Sequence, residues 1–178
     1  SGFSSANYLE QPYNADLDFG TGDFSVMGWA KINDTASNPL FGHGNVGLND
    51  GFLITTGTVI NIGVLGIPGS FTSEQTTAPA TTTGVWFQIC YVRLSGTNYS
   101  YINGVLEATW GGGLATADFT TKWTSPITTL GKRAGTADSG ATSNLALWRI
   151  GATAPTAAQI KEIYEAEKPL FQENAKCT

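Results

Sequence analysis

The sequence predicts an all-β protein, a two-sheet antiparallel β-sandwich of jelly-roll type with one short C-terminal helix. Three observations carry this. Short apolar stretches alternate with polar or Gly-rich punctuation along most of the chain. Charged residues make up only 13% of the 178 positions while 22 are glycine, a composition suited to short strands joined by turns. Residues 82–109, TTGVWFQICYVRLSGTNYSYINGVLEAT, spell a strand, a tight turn, a second strand and a hairpin in immediate succession. Two such sheets, each apolar on its inner face, bury those faces by stacking about 10 Å apart. The chain is long enough for one domain with a substantial core.

The elements follow in order. Residues 6–12 read as an opening edge strand, ended by Pro12, which has no N–H to give to a ladder. A Gly-rich turn leads to Phe24, where alternation becomes strict. Phe24, Val26, Gly28 and Ala30 share one face, and Ser25, Met27, Trp29 and Lys31 the other. Asn33 to Pro39 reads as a loop, with the next strand beginning at Leu40. Residues 51–67 make two or three short strands around a Thr56-Gly57-Thr58 turn, and Phe71 to Gly84 reads as a long polar loop.

The central strand is apolar on both sides. Val85, Phe87, Ile89 and Tyr91 fall on one face, while Trp86, Cys90 and Val92 share the other with Gln88. That marks a strand inside the structure and not a half-solvated edge. Asn103-Gly104 supplies the two positive-φ positions of a type I′ hairpin turn. Residues 110–126 read as a second long connection carrying Trp110 and Trp123, before the closing strands ITTLGKR and SNLALWRIG. Thr156 with Gln159 forms a capping box, Ile160, Ile163 and Tyr164 form an apolar stripe, and Pro169 stops the helix. The helix therefore spans about 157–167, with an extension over 169–178.

Three of these segments carry a resemblance. The Trp86-led strand followed by Tyr101-Ile102-Asn103-Gly104, the strand DFSVMGWAK from Asp23, and the closing Trp148-Arg149-Ile150-Gly151 before a short helix resemble laminin-G-like modules of the concanavalin A-like superfamily. The resemblance covers residues 6–168 and implies a single domain over 1–178. It also implies that Trp29, Trp86 and Trp148 are core residues and that a calcium ion could sit at the sandwich rim. Calcium takes six to eight oxygens from carboxylates, amides and carbonyls that loops can supply. The candidates here are Asp16, Asp18, Asp23, Asn33 and Asp34. Residues 165–177, EAEKPLFQENAKC, are similar to sequence that follows such modules in bacteriophage tail and fibre proteins.

Chemistry is sparse. A net charge of −5 and a pI near 4.7 disfavour nucleic acid as a partner. No apolar run approaches the roughly 18 residues of a membrane-spanning helix. Glycoside hydrolysis needs two carboxylates about 5–9.5 Å apart, and the Glu-x-Asp-x-x-Glu strand of some concanavalin A-like glucanases is absent. The single histidine, His43, stands between glycines and reads as an exposed turn or strand-end residue. Cys90 reads as a small buried hydrophobe, without a disulfide framework to pair it with Cys177.

The expected function is thus a non-catalytic recognition or adhesion module for a glycan or cell-surface polysaccharide, outside the cell or on a virion surface. Trp110 and Trp123 are its candidate ligand-binding residues, since an indole in a loop can stack on a sugar ring. A structural or assembly domain that self-associates within a larger protein is the alternative. A hydrolase or lyase on the same fold is the third reading.

Overall fold

The structure is a computed structural model that describes residues 2–4, 6–45, 50–57, 60–67, 70–75, 83–111, 118, 127–134 and 142–172. The strands are β1 (Leu9–Gln11), β2 (Phe24–Ile32), β3 (Asn38–Asn45), β4 (Asp50–Thr56), β5 (Ile60–Ile67), β6 (Ser70–Gln75), β7 (Trp86–Leu94), β8 (Thr97–Ile102), β9 (Val105–Gly111), β10 (Ile127–Leu130) and β11 (Ser143–Gly151), followed by helix α1 (Ala157–Glu167). They form two antiparallel sheets. The larger has six strands in the order β1-β10-β3-β4-β5-β6, and the smaller has five in the order β11-β2-β7-β8-β9. The expected sandwich with one terminal helix is therefore what the chain adopts.

The alternation read in β2 and β7 builds two separate cores. Phe24, Val26, Ala30 and Ile32 of β2 and Phe87, Ile89 and Tyr91 of β7 meet Leu40, Phe41, Phe52 and Ile54 of the larger sheet. On the opposite face Met27, Cys90, Val92 and Tyr101 pack beneath Ile160 of α1. An antiparallel strand apolar on both sides is thus explained by a helix roofing one of them. Tyr99 and Tyr101 stand opposite Val92 and Cys90 as cross-strand partners.

Two tight hairpins set the β7-β8-β9 register. Asn103 and Gly104 both have positive φ (52° and 74°), as the type I′ turn requires, and Ser95 and Gly96 repeat the pattern (49° and 72°) between β7 and β8.

The helix begins as expected. The Thr156 hydroxyl accepts from the Gln159 backbone N–H (3.3 Å), and the Gln159 side-chain oxygen accepts from the Thr156 N–H (2.9 Å). Past its end the chain does not run free at Pro169. Lys168–Phe171 form a 3₁₀ turn with Pro169 near its start, where a missing N–H costs nothing. Phe171 then lies on Trp29 (ring centroids 4.2 Å apart) and Trp86 (4.7 Å). Glu167 accepts from Trp29 Nε1 (2.7 Å) and pairs with Arg149 (2.5 Å).

Five local expectations are corrected, the first being that Trp86, expected in the core, is only partly buried at the start of β7. Part of the supposed polar loop over 71–84 is β6, which among the described residues pairs with β5 at the edge of its sheet. Its Ser/Thr composition carries no apolar stripe, so composition could not separate it from a loop. β3 begins at Asn38, two residues early, because the buried Asn38 amide donates to Asp34 Oδ1 (2.9 Å) and the Ala36 carbonyl (2.8 Å) and so anchors the strand end. Trp110 lies on β9, not in a connection.

Trp148, expected in the core, is only partly buried, yet it is tightly placed. Its indole N–H donates to the Trp29 carbonyl (3.0 Å) and its ring stacks on Phe41 (6.1 Å, 7°). It lies directly over Gly28, where a Cβ would stand 2.4 Å from the indole. The placement comes from a β-bulge. Between Ala146 and Arg149 the β11 register slips, and Leu147 takes a left-handed φ of 52°. Bulges re-aim side chains in this way.

Candidate functional site

Of the residues expected as calcium candidates, Asp18, Asp23 and Asp34 accept side-chain hydrogen bonds, while Asp16 and Asn33 are tied through their backbone N–H groups. Asp16 follows the cap of a 3₁₀ turn, its backbone N–H donating to Asn14 Oδ1 (3.0 Å). Asp18 accepts from the Tyr13 hydroxyl (2.8 Å), a bond that raises the Tyr13 pKa. Asp23 accepts from the Ser95 N–H (2.8 Å), tying the entry of β2 to the β7–β8 turn. Asn33 donates its backbone N–H to the Thr142 carbonyl (2.9 Å). Asp34 accepts from Thr142 Oγ1, from Asn38 Nδ2 (2.9 Å) and from the Ala36 N–H (2.9 Å). Among the described residues no three His, Cys, Asp or Glu side chains form a group that could hold a metal.

Asp34 instead pins a turn to the start of β11. The hydrogen bond from Thr142, then that from Asn38, holds its carboxyl below the usual carboxylate range. A carboxylate whose folded pKa is depressed stabilises the fold above its unfolded pKa and loses that contribution as pH falls through the folded value. Wild type should therefore lose melting temperature on acidification below about pH 4, and Asp34→Ala should lose less. At pH 7 the same substitution should cost about 1–2 kcal/mol, and by equal amounts in EDTA and in millimolar calcium. A loss seen only in calcium would make Asp34 a ligand.

His43 overturns the expectation of an exposed turn residue. It is 5% exposed, opposite Phe52 on β4 and Thr128 on β10, with Nδ1 2.9 Å from Thr128 Oγ1. The neighbouring glycine that read as turn punctuation serves close approach instead: a Cβ on Gly42 would meet the Ala134 backbone N at 2.9 Å. Burial holds the imidazole pKa below its ordinary value, which favours the neutral ring.

Trp110 sits on the edge strand in register with Asn98, which pairs with Arg93, which pairs with Phe24. These four make one row across the inner face of the smaller sheet, ending in the partly exposed Trp110 at the rim. Trp123 lies outside the described residues. Arg93, which sequence reasoning did not single out, is wholly buried. Its Nε donates to the Gly22 carbonyl and an Nη to the Gly20 carbonyl, both at 2.7 Å, while the guanidinium lies 4.9 Å over Phe24. Desolvation lowers its pKa. The signal was available, since alternation from Phe87, Ile89 and Tyr91 aims position 93 inward.

Two concavities each have two aromatic residues in their walls, and Glu10 also lines the first. One of about 240 Å³ opens on the flank between the sheets, lined by Leu9, Phe41, Leu130, Trp148, Arg149 and Ile150 among others. The other, about 470 Å³, lies at the start of β7 between Lys31, Gly84, Val85, Trp86, Phe171 and Gln172. No Asp or Glu is among the buried residues described. The depressed pKa of Asp34 is the wrong direction for a general acid, which needs a raised one.

A family profile described as the concanavalin A-like lectin/glucanases superfamily matches residues 3–161. The chain belongs to that superfamily. As a lectin/glucanase-superfamily domain it is similar in fold to the native heptameric SAP-like pentraxin of Limulus polyphemus (TM-score 0.65, 14% identity, 92% of this chain and 76% of the pentraxin). It is similar also to the botulinum neurotoxin serotype G binding domain (TM-score 0.68, 13% identity, 90% of this chain), of which it spans 40%. A third likeness is to the CBM40 of a Ruminococcus gnavus IT-sialidase, solved bound to α2,3-sialyllactose (TM-score 0.68, 15% identity, 88% of this chain and 98% of that one). At these identities the likeness concerns the fold. No curated protein sequence matches this superfamily domain.

Proposed function

We propose that this domain is a non-catalytic recognition module that binds glycans outside the cell, with adhesion on a virion surface as one such setting. The observation that carries the reading is a lectin/glucanase-superfamily sandwich whose described carboxylates stand outside the buried interior, several of them accepting hydrogen bonds, while Phe41 and Trp148, and Trp86 and Phe171, contribute to the walls of its concavities. The CBM40 and toxin binding domain of the same fold support it, since binding is what their names describe. In this reading the partly exposed Trp110 at the rim stacks on neutral sugars, and Trp123, outside the described residues, is the second candidate. Shallow platforms bind weakly one at a time, and several copies on one particle supply avidity.

Binding to a panel of immobilised polysaccharides, with reducing-sugar release measured in parallel, tests this. The expected result is retention without turnover, with neutral-glycan retention falling at least tenfold in the Trp110→Ala/Trp123→Ala double variant while the fold persists. Turnover that a single Asp or Glu substitution stops would sink the non-catalytic reading. Absence of any glycan retention, together with concentration-dependent self-association by light scattering, would favour an assembly domain.

A further inference from the structure

The roofed face of the smaller sheet carries an aromatic stack running from α1 to the start of β7. Tyr164 stacks on Trp29 (5.7 Å between centroids, 17° between planes), Trp29 on Phe171 (4.2 Å, 20°), and Phe171 leans on Trp86 (4.7 Å, 49°). A lysine stands over each end: Lys168 Nζ lies 5.3 Å from the Tyr164 centroid and Lys31 Nζ 5.9 Å from that of Trp86. These distances are within the range of cation–π attraction.

The two ends differ in access. Trp29 is buried in the middle of the stack, whereas Trp86 opens into the recess of about 470 Å³. That volume falls within the roughly 300–1,000 Å³ of small-ligand sites, and the flank groove of about 240 Å³ does not. The recess wall is open to solvent. Val85 is 54% exposed, and among the described residues, its chain neighbours aside, Gly84 has no atom within 4 Å of where a Cβ would stand.

Lys31 is the second half of the observation. Glu167, the carboxylate nearest in the sequence of contacts along the stack, is engaged by Trp29 and Arg149. Among the described residues the ion pair is Arg149–Glu167, and Lys31 has no carboxylate within bridging distance. In a chain of net charge −5, an ammonium that bridges to no carboxylate among the described residues, beside a partly exposed indole, is a specific combination. With Phe171 leaning on the indole and Lys31 standing over it, the part of Trp86 that faces the recess offers an apolar wall to the C–H groups of a sugar, and the ammonium offers a point charge to an anionic substituent on it. We propose that the Trp86–Lys31 recess binds a carboxylated sugar unit of an acidic polysaccharide. The chain's overall negative charge does not prevent this, because exposed charges farther than about 8–10 Å are largely screened at physiological salt. The proposal rests on the glycan-recognition reading and adds a site to it, separate from Trp110.

Titration calorimetry with an oligogalacturonate and with a maltooligosaccharide of equal length tests it, supported by amide chemical shifts. The expected result is binding of the uronate, with shifts at Gly84, Val85 and Trp86 and affinity falling as salt is raised. Lys31→Gln should weaken uronate binding at least tenfold and Trp86→Ala further. Lys31→Gln changes only a partly exposed side chain, so its effect is readable even if Trp86→Ala proves unstable. Binding of the neutral oligomer alone, or unchanged uronate binding by Lys31→Gln, overturns this site and leaves glycan recognition standing. Failure of both oligomers, and of every polysaccharide on the panel, overturns both.

Discussion

Gly28→Ala should destabilise the domain by about 3 kcal/mol, at the upper end for overpacking a core, and lower the melting temperature by roughly 6–12 °C for a chain of this size. The added methyl would stand 2.4 Å from the Trp148 indole. That ring cannot step aside cheaply, because its N–H is bound to the Trp29 carbonyl and its face to Phe41. The cost should be strongly non-additive. Trp148→Ala alone removes a large aromatic, but in that background Gly28→Ala should be close to neutral. Thermal melts of the four proteins in this cycle measure the coupling. A Gly28→Ala protein that melts within a degree of wild type would show that the indole is not locked over the strand.

Arg93→Met should be comparably severe, about 3 kcal/mol or more. Methionine keeps much of the volume, so the loss is chiefly polar. The carbonyls of Gly20 and Gly22 lose a charged donor at 2.7 Å each, and hydrogen bonds to charged groups contribute about 1.5–3 kcal/mol. Arg93→Lys should rescue little, since an ammonium cannot reproduce the planar fork that reaches both carbonyls and stacks over Phe24. The check is chemical denaturation of all three proteins. If methionine matches arginine in midpoint, the guanidinium is a passenger and the turn over 20–22 holds itself.

The parts of this fold legible in the sequence are those whose signal is local. Strict alternation from Phe24, the double-sided apolar run from Trp86, the Asn103-Gly104 turn and the Thr156/Gln159 cap each act within a few residues, and each became the element expected. What stayed hidden depends on partners far along the chain. Asp23 and Asp34 read only as loop carboxylates, and their bonds to Ser95 and Thr142 join residues 72 and 108 positions apart. No spacing rule reports such pairings. His43 was misread because a glycine beside it signals a turn locally but serves sheet packing here. β6 was missed because an edge strand of Ser and Thr leaves no periodic trace.

The roof over the smaller sheet has a chemical consequence for Cys90. The thiol is wholly buried beneath α1, and burial pushes its pKa up to about 12. Only a thiolate attacks a disulfide, and only one that can reach it. While the helix is docked, Cys90 therefore neither exchanges into disulfides nor climbs the oxidation ladder, so the domain can carry this free cysteine through an oxidising environment without cross-linking by that route.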